Sequence, residues 1–219
     1  MKINHFILTV ISVMLLVSGC EKREQGINLA MRPISEWHIE LKDSIAPTEV
    51  FSIEDGVIRA RGDFGYIRTI ETYSDYELSV EWRWVNEATN SGIFVNICKD
   101  GIWPTMYEIQ LKAGDAGDLI NAGGATSNEY IANMADSTVR RPSIISKINP
   151  SNEKPVGEWN KAEITVGNDT ITVWINGELQ NQITGISSKS GYIGLQSEGK
   201  EIEFRNVIVK QTRTPLACR

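Results

Sequence analysis

From Trp37 to Lys210 the apolar residues fall mostly into short runs in which hydrophobic and polar positions alternate. Successive side chains of a strand point to opposite faces of a sheet, so such runs predict strands with one buried face. In the first half they cover residues 37–41, 50–53, 57–60, 65–69 and 76–85, with the turn pairs Asp55-Gly56 and Gly62-Asp63 between them. The run 76–85 alternates most cleanly: Leu78, Val80, Trp82 and Trp84 share one face, and Glu77, Ser79, Glu81 and Arg83 share the other. The last third continues the pattern at 158–166, 170–175, 178–183, 191–196 and 201–210. Asn176-Gly177 between two of these runs is a strong hairpin signal, because both positions of a type I′ turn need positive φ. Neither helical periodicity nor a fixed repeat is evident. About a dozen short strands in one chain predict an all-β, two-sheet jelly-roll sandwich.

The stretch 90–110 holds two further runs, 92–98 and 106–111, joined by a turn containing Lys99, Asp100, Gly101 and Pro104. Alternation places Met106, Glu108 and Gln110 on one face and Tyr107, Ile109 and Leu111 on the other. A carboxylate beside an amide reads either as a solvated sheet face or as the floor of a sugar site, and alternation alone leaves both open. Residues 112–157 are rich in Gly, Asn, Ser, Asp and Pro and predict a long irregular segment, the kind that is often functional. Within it, Asp115 and Asp118 are weak Ca²⁺ candidates, since the segment lacks the regular acidic spacing and terminal Glu of a calcium loop. Arg140, Arg141 and Lys147 read as solvated charges or as part of a lid.

The ends of the chain add a compartment. The run 6–17 is apolar apart from Thr9 and Ser12, follows Lys2, and leads to Val17-Ser18-Gly19-Cys20. This has the form of a bacterial lipoprotein signal over 1–19 with Cys20 as the lipidated residue, and it is too short for the roughly 20 apolar residues of a membrane span. The expected organisation is a polar tether over 20–32, one domain over 33–212 and a tail over 213–219. Such a chain belongs in the bacterial cell envelope, held to the membrane only by its lipid and facing the periplasm or the cell surface. The protein has 28 acidic against 22 basic residues and no basic run, which argues against nucleic acid. Cys98 and Cys218 either pair or stay separate. With His5 in the signal, His38 is the one histidine left, so no His-based metal cluster forms within a mature chain and acid–base chemistry falls to carboxylates, Lys or Tyr.

Several motifs follow one another in a familiar order: Asp75-Tyr76-Glu77-Leu78, Glu81-Trp82-Arg83, Asn90-Ser91-Gly92-Ile93, Tyr107-Glu108-Ile109-Gln110, Gly157-Glu158-Trp159-Asn160, Asn176-Gly177, Gly191-Tyr192-Ile193-Gly194-Leu195-Gln196 and Phe204-Arg205-Asn206. Together they resemble the DUF1080 family, the 3-keto-disaccharide hydrolase or 3-keto-glucoside lyase/hydratase domain, over residues 37–210. The resemblance implies a concanavalin A-like jelly roll whose concave sheet is lined by Glu81, Arg83, Asn90, Glu108, Gln110 and Gln196; Trp159 and Phe204 read independently as core aromatics. It further implies a carbohydrate substrate oxidised at C3, where the ketone acidifies the C2 proton so that a base removes it as the C1 aglycone departs.

On that reading Glu108 is the base, Gln110 or Asn90 donates to the enolate oxygen, Arg83 stabilises charge, and Glu81 or Tyr107 is the acid. Trp103 and Gln196 complete the substrate contacts, and no cofactor is required. Two departures from the family fall nearby: Asn96 occupies the place of a common Arg, and Lys112-Ala113 replaces an acidic residue after the Glu-x-Gln motif. The alternatives are a carbohydrate-binding module that uses Trp103 as a stacking platform, and a two-carboxylate glycoside hydrolase pairing Glu108 with Glu81 or Asp115.

Overall fold

The computed structural model describes residues 26–212, so the signal sequence, Cys20, Cys218 and the tail lie outside the described residues. In chain order the strands of the first half are β1 (Ile27–Asn28), β2 (Trp37–Leu41), β3 (Phe51–Glu54), β4 (Val57–Ala60), β5 (Gly65–Thr69), β6 (Tyr73–Ser74), β7 (Tyr76–Trp84) and β8 (Gly92–Lys99). They continue with β9 (Thr105–Gln110), β10 (Leu119–Ala122), β11 (Ile144–Ile145), β12 (Asn160–Gly167), β13 (Thr170–Ile175), β14 (Glu178–Thr184), β15 (Ser190–Ser197) and β16 (Ile202–Gln211). Two short helices, α1 (Pro47–Val50) and α2 (Asn128–Ala135), interrupt them. One antiparallel sheet runs β14, β13, β12, β7, β16, β4, β3, with β1 also on β16. The other runs β11, β10, β9, β8, β15, β5, β2, with β6 also on β15.

The alternation in β7 becomes the packing of the first sheet. Leu78, Val80, Trp82 and Trp84 face inward and are buried, while Glu77, Ser79, Glu81 and Arg83 face out. From the second sheet Ile93, Val95, Tyr107, Ile109, Ile193 and Leu195 meet them in one continuous core. Burying one face of each sheet against the other is the main stabilisation of a sandwich. Asn176 and Gly177 adopt φ values of 49° and 83°, as the hairpin between β13 and β14 requires.

Three expectations are corrected. The supposed tether joins the fold from Ile27, which pairs with Val209, and Leu29 and Ala30 are fully buried. Their apolar side chains outweighed the charged composition upstream. The segment 112–157 contains β10, β11 and α2. Ser127 caps α2 by accepting the Tyr130 N–H, and Glu129 ties it to the Thr184 N–H and hydroxyl. No side chain of α2 is buried: Ile131 and Met134 share one side of the helix but stay exposed, and eight residues are too few for their spacing to announce it. Finally, Trp159 lies outside the core, with the guanidiniums of Arg83 and Arg205 over its ring at 4.6 and 4.0 Å from the ring centre.

Candidate active site

The outer face of the second sheet gathers residues from four strands by register. Phe94 pairs with Glu108 and Gly92 with Gln110 across β8 and β9. Gly194 of β15 pairs with Phe94, and Gln196 with Tyr66 of β5. The β8–β9 loop then folds back along β5. Phe64, Tyr66 and Arg68 share one face there, and each holds one loop residue. The Phe64 ring lies 4.9 Å from Trp103, the Tyr66 hydroxyl donates to the Gly101 carbonyl, and Arg68 donates to both oxygens of Asp100 at 2.8 and 2.7 Å. Arg68 also stacks on Tyr192 at 3.8 Å. Pinned in this way, the loop forms one wall of a pocket of about 280 Å³ above β8, β9 and β15. Asn90, Glu108, Gln110, Gln196, Glu198 and Trp103 all line it.

Glu108 is the group out of place. Only 7 % of it is exposed, yet among the described residues its carboxylate has neither a hydrogen-bond nor an ion-pair partner. Gly92 makes room for it, since a Cβ there would lie 2.6 Å from Glu108 Oε1. Burial first, and then the charge of Glu198, push the Glu108 carboxyl up to about 8. Nearby, Asn90 Oδ1 and Gln196 Oε1 are buried without partners. Gln196 donates through Nε2 to Glu198 at 2.9 Å. Gln110 Oε1 accepts the backbone N–H groups of Leu111 and Lys112, which leaves its amide nitrogen as a donor. The pocket therefore holds a carboxyl raised to about 8, beside two unpartnered amide oxygens that can accept from hydroxyl groups and one amide nitrogen that can donate.

Of the residues singled out in the sequence, Glu108, Gln110, Asn90, Gln196 and Trp103 converge here. Glu81 and Arg83 do not, and their expected place beside Glu108 is corrected. They lie on the outer face of the opposite sheet, across a sandwich about 10 Å thick. There Glu81 accepts from Arg205 and Asn206, and Arg83 pairs with Glu203. Alternation shows which residues share a face but not which sheet the strand joins. Tyr107 points into the core, where its hydroxyl donates to the Thr126 carbonyl and accepts the Ser187 N–H, so it is no acid for this pocket.

Asn96 occupies a bulge with φ of 53°, accepts from the Tyr76 hydroxyl and donates to the Ser188 carbonyl. The position where the family resemblance led us to expect an Arg is thus structural here. Asp115 pairs with Lys112 and Lys147, and Asp118 accepts the Lys147 N–H, so neither lines the pocket. Among the described residues no three His, Cys, Asp or Glu side chains converge as a metal site. His38 contacts Glu40 at 3.2 Å and neither lines the pocket, and Cys98 is an exposed free thiol. Glu198 was not anticipated, although it stands two residues beyond Gln196 in an extended run, which is enough to put both on one face.

Comparison with known proteins bears on the family and the fold. The sequence profile of the 3-keto-α-glucoside-1,2-lyase-like domain matches residues 32–210. A 3-keto-disaccharide hydrolase of Bacteroides thetaiotaomicron is 26 % identical over 214 residues, covering 73 % of this chain and 69 % of that protein. Among solved structures, a candidate glycosyl hydrolase from Parabacteroides distasonis superposes with a TM-score of 0.59 at 17 % identity, over 83 % of this chain and 91 % of that one. The carbohydrate-binding module CBM66 of Bacillus subtilis gives 0.57 at 10 % identity, over 80 % and 96 %. The two structural likenesses speak to the fold, a jelly-roll sandwich shared by enzymes and binding modules, while the profile match spans nearly all of the described residues. The chain belongs to the 3-keto-α-glucoside-1,2-lyase-like family.

Proposed function

We propose that the protein cleaves 3-keto-glycosides, with Glu108 as the base that removes the C2 proton. The observation that carries this reading is a carboxyl buried without a partner and raised to about 8, because such a carboxylate, once ionised, is a stronger base than an exposed one. The C2–H bond breaks and its electrons form an enolate on the C3 carbonyl, where the Gln110 amide donates. Collapse of the enolate forms the C1=C2 bond and expels the aglycone, whose oxygen takes the proton from Glu108. Water then adds to C1 and C2 regains a proton, which completes hydrolysis; release before this step gives the lyase outcome. Asn90 Oδ1 and Gln196 Oε1 accept from sugar hydroxyls, and Trp103 supplies a stacking face. The Glu198 charge sustains the basicity of Glu108.

A second arrangement is favoured by one observation, the presence of Glu108 and Glu198 in the same pocket: the two act together on an unoxidised glycoside. Incubation with a nitrophenyl glucoside and with its 3-keto derivative separates the readings. Release from the keto sugar alone supports the proposal, release from the parent glucoside supports two-carboxylate hydrolysis, and release from neither, with binding retained, supports a binding module. We also place the protein on the envelope membrane through a lipid on Cys20; Cys20→Ser then moves it to the soluble fraction, and an unchanged membrane fraction contradicts the anchor.

A further inference from the structure

Resting on that reading, we infer that the leaving-group side of the pocket accepts a flat apolar aglycone in preference to a second sugar. The polar groups of the site come from a few positions, Asn90, Glu108, Gln110, Gln196 and Glu198, and β-sheet register places them together. The rest of the lining changes character. Ile102, Trp103 and Pro104 form the wall, and Met106, Phe94 and Ala122 continue the floor along β9, β8 and β10. Beneath the loop, Tyr66, Phe94, Ile97 and Met106 form an apolar cluster of their own, separate from the core between the sheets.

Apart from the indole N–H of the exposed Trp103, none of the side chains of Ile102, Trp103, Pro104, Phe94, Met106 and Ala122 offers a hydroxyl, amide or charge to a ligand. The Tyr66 hydroxyl already donates to the Gly101 carbonyl, so it is left only as an acceptor. A second pyranose has several hydroxyl groups, and seating it here removes part of their water for at most two side-chain partners, the Trp103 indole N–H and the Tyr66 oxygen. An aromatic or alicyclic aglycone has no such requirement and gains contact with the wall. Trp103 is 72 % exposed, and its ring is set by Phe64 behind it. Wall and ring are held in advance by the Arg68–Asp100 pair, so a flat ligand meets a preformed surface.

The test compares 3-keto-glucosides with aglycones of different character and similar departure. A benzyl 3-keto-glucoside is set against a 3-keto-disaccharide, because benzyl alcohol is no better a leaving group than a sugar hydroxyl. The expected result is a kcat/KM at least about tenfold higher for the benzyl substrate, carried mainly by KM. Trp103→Ala should bring the ratio close to one, and Trp103→Phe should retain most of it. Equal ratios in the wild type, or a preference for the disaccharide, overturn the inference.

Calorimetry with the unoxidised benzyl glucoside and a glucose disaccharide supplies a readout independent of turnover. If neither keto sugar is cleaved but the benzyl glucoside binds at least about tenfold tighter, with the difference lost in Trp103→Ala, the catalytic proposal fails and the apolar subsite stands. Equal affinities, or no binding of either, overturn the subsite as well.

Discussion

Two buried carboxylates on opposite sides of the sandwich show how one residue type acquires two fates. Glu203, on the first sheet, is 3 % exposed and takes hydrogen bonds from Arg59 and Arg83, with Trp159 stacked on Arg83 beside them. Burial pushes its carboxyl up, but the bonds from the two arginines outweigh burial and hold it below the usual range. Glu108, on the second sheet, is 7 % exposed and has no such partners among the described residues, so burial and the Glu198 charge raise it to about 8. Both are hidden from solvent, but Glu108 is packed much more deeply than Glu203, and the partners differ as well. The paired carboxylate belongs to the scaffold, and the unpaired one sits in a pocket with unsatisfied amide oxygens. Strongly shifted, uncompensated buried carboxyls cluster at functional sites, which is why the proposed chemistry is placed on Glu108.

The largest effect expected from this contrast is on turnover. Glu108→Gln should lower kcat/KM on a 3-keto-glucoside by about 10³-fold or more, in the range of general-base removal. Its stability should move the other way. Between about 4.5 and about 8 the folded protein holds a proton on Glu108 that the unfolded chain has lost, so stability falls as pH rises through that window. Glu108→Gln removes that slope and should raise Tm more at pH 9 than at pH 5, checked by thermal melts at both. A variant that melts lower at pH 9 would mean that the carboxylate is compensated after all.

Glu203→Gln should do the converse. It breaks a buried pair whose arginines are partly exposed, at an expected loss of about 2 kcal/mol by denaturant unfolding, with kcat/KM nearly unchanged. Because the folded carboxyl lies below its unfolded value, its contribution is present above the unfolded value and is lost as pH falls through the folded one. The wild-type difference from Glu203→Gln should therefore shrink in acid. A large loss of turnover in a folded Glu203→Gln protein would erase the distinction between the two sites.

Two smaller effects sharpen the comparison within the pocket. Gly92→Ala puts a Cβ into the seat of the Glu108 carboxylate and should lower kcat/KM by about 10- to 100-fold, since displacements near 1 Å are costly at a reacting centre. The wild-type kcat/KM should rise with pH to a plateau above about 8, as the Glu108 base ionises. Glu198→Gln should shift this limb to lower pH, because it removes the charge that holds the proton on. A limb that does not move would assign the rise to another group.

Much of the scaffold was legible from alternation. The inward face of β7 and the Asn176-Gly177 hairpin could be read directly, because strand period and turn chemistry are local properties. The same locality placed Glu108 beside Gln110. What alternation does not carry is sheet membership. Glu81 and Arg83 share the outward face of β7 as expected, but that face looks away from Glu108, and their partners Arg205 and Glu203 lie over a hundred residues along the chain. The role of Gly92 also escapes a sequence reading, since the space it leaves matters only once β8 and β9 are in register. Helix α2 was missed because it buries nothing, and the fold of 27–30 because three apolar residues sit within a charged flank.

The measurement closest to the central claim is exchange of the C2 proton. With a 3-keto-glucoside in deuterated water, followed by proton NMR, the wild-type protein is expected to accelerate C2 exchange or loss together with aglycone release. Glu203→Gln should match it, and Glu108→Gln should fall by about 10³-fold in both. If C2 exchange in folded Glu108→Gln proceeds at the wild-type rate, Glu108 is not the base and the account is wrong.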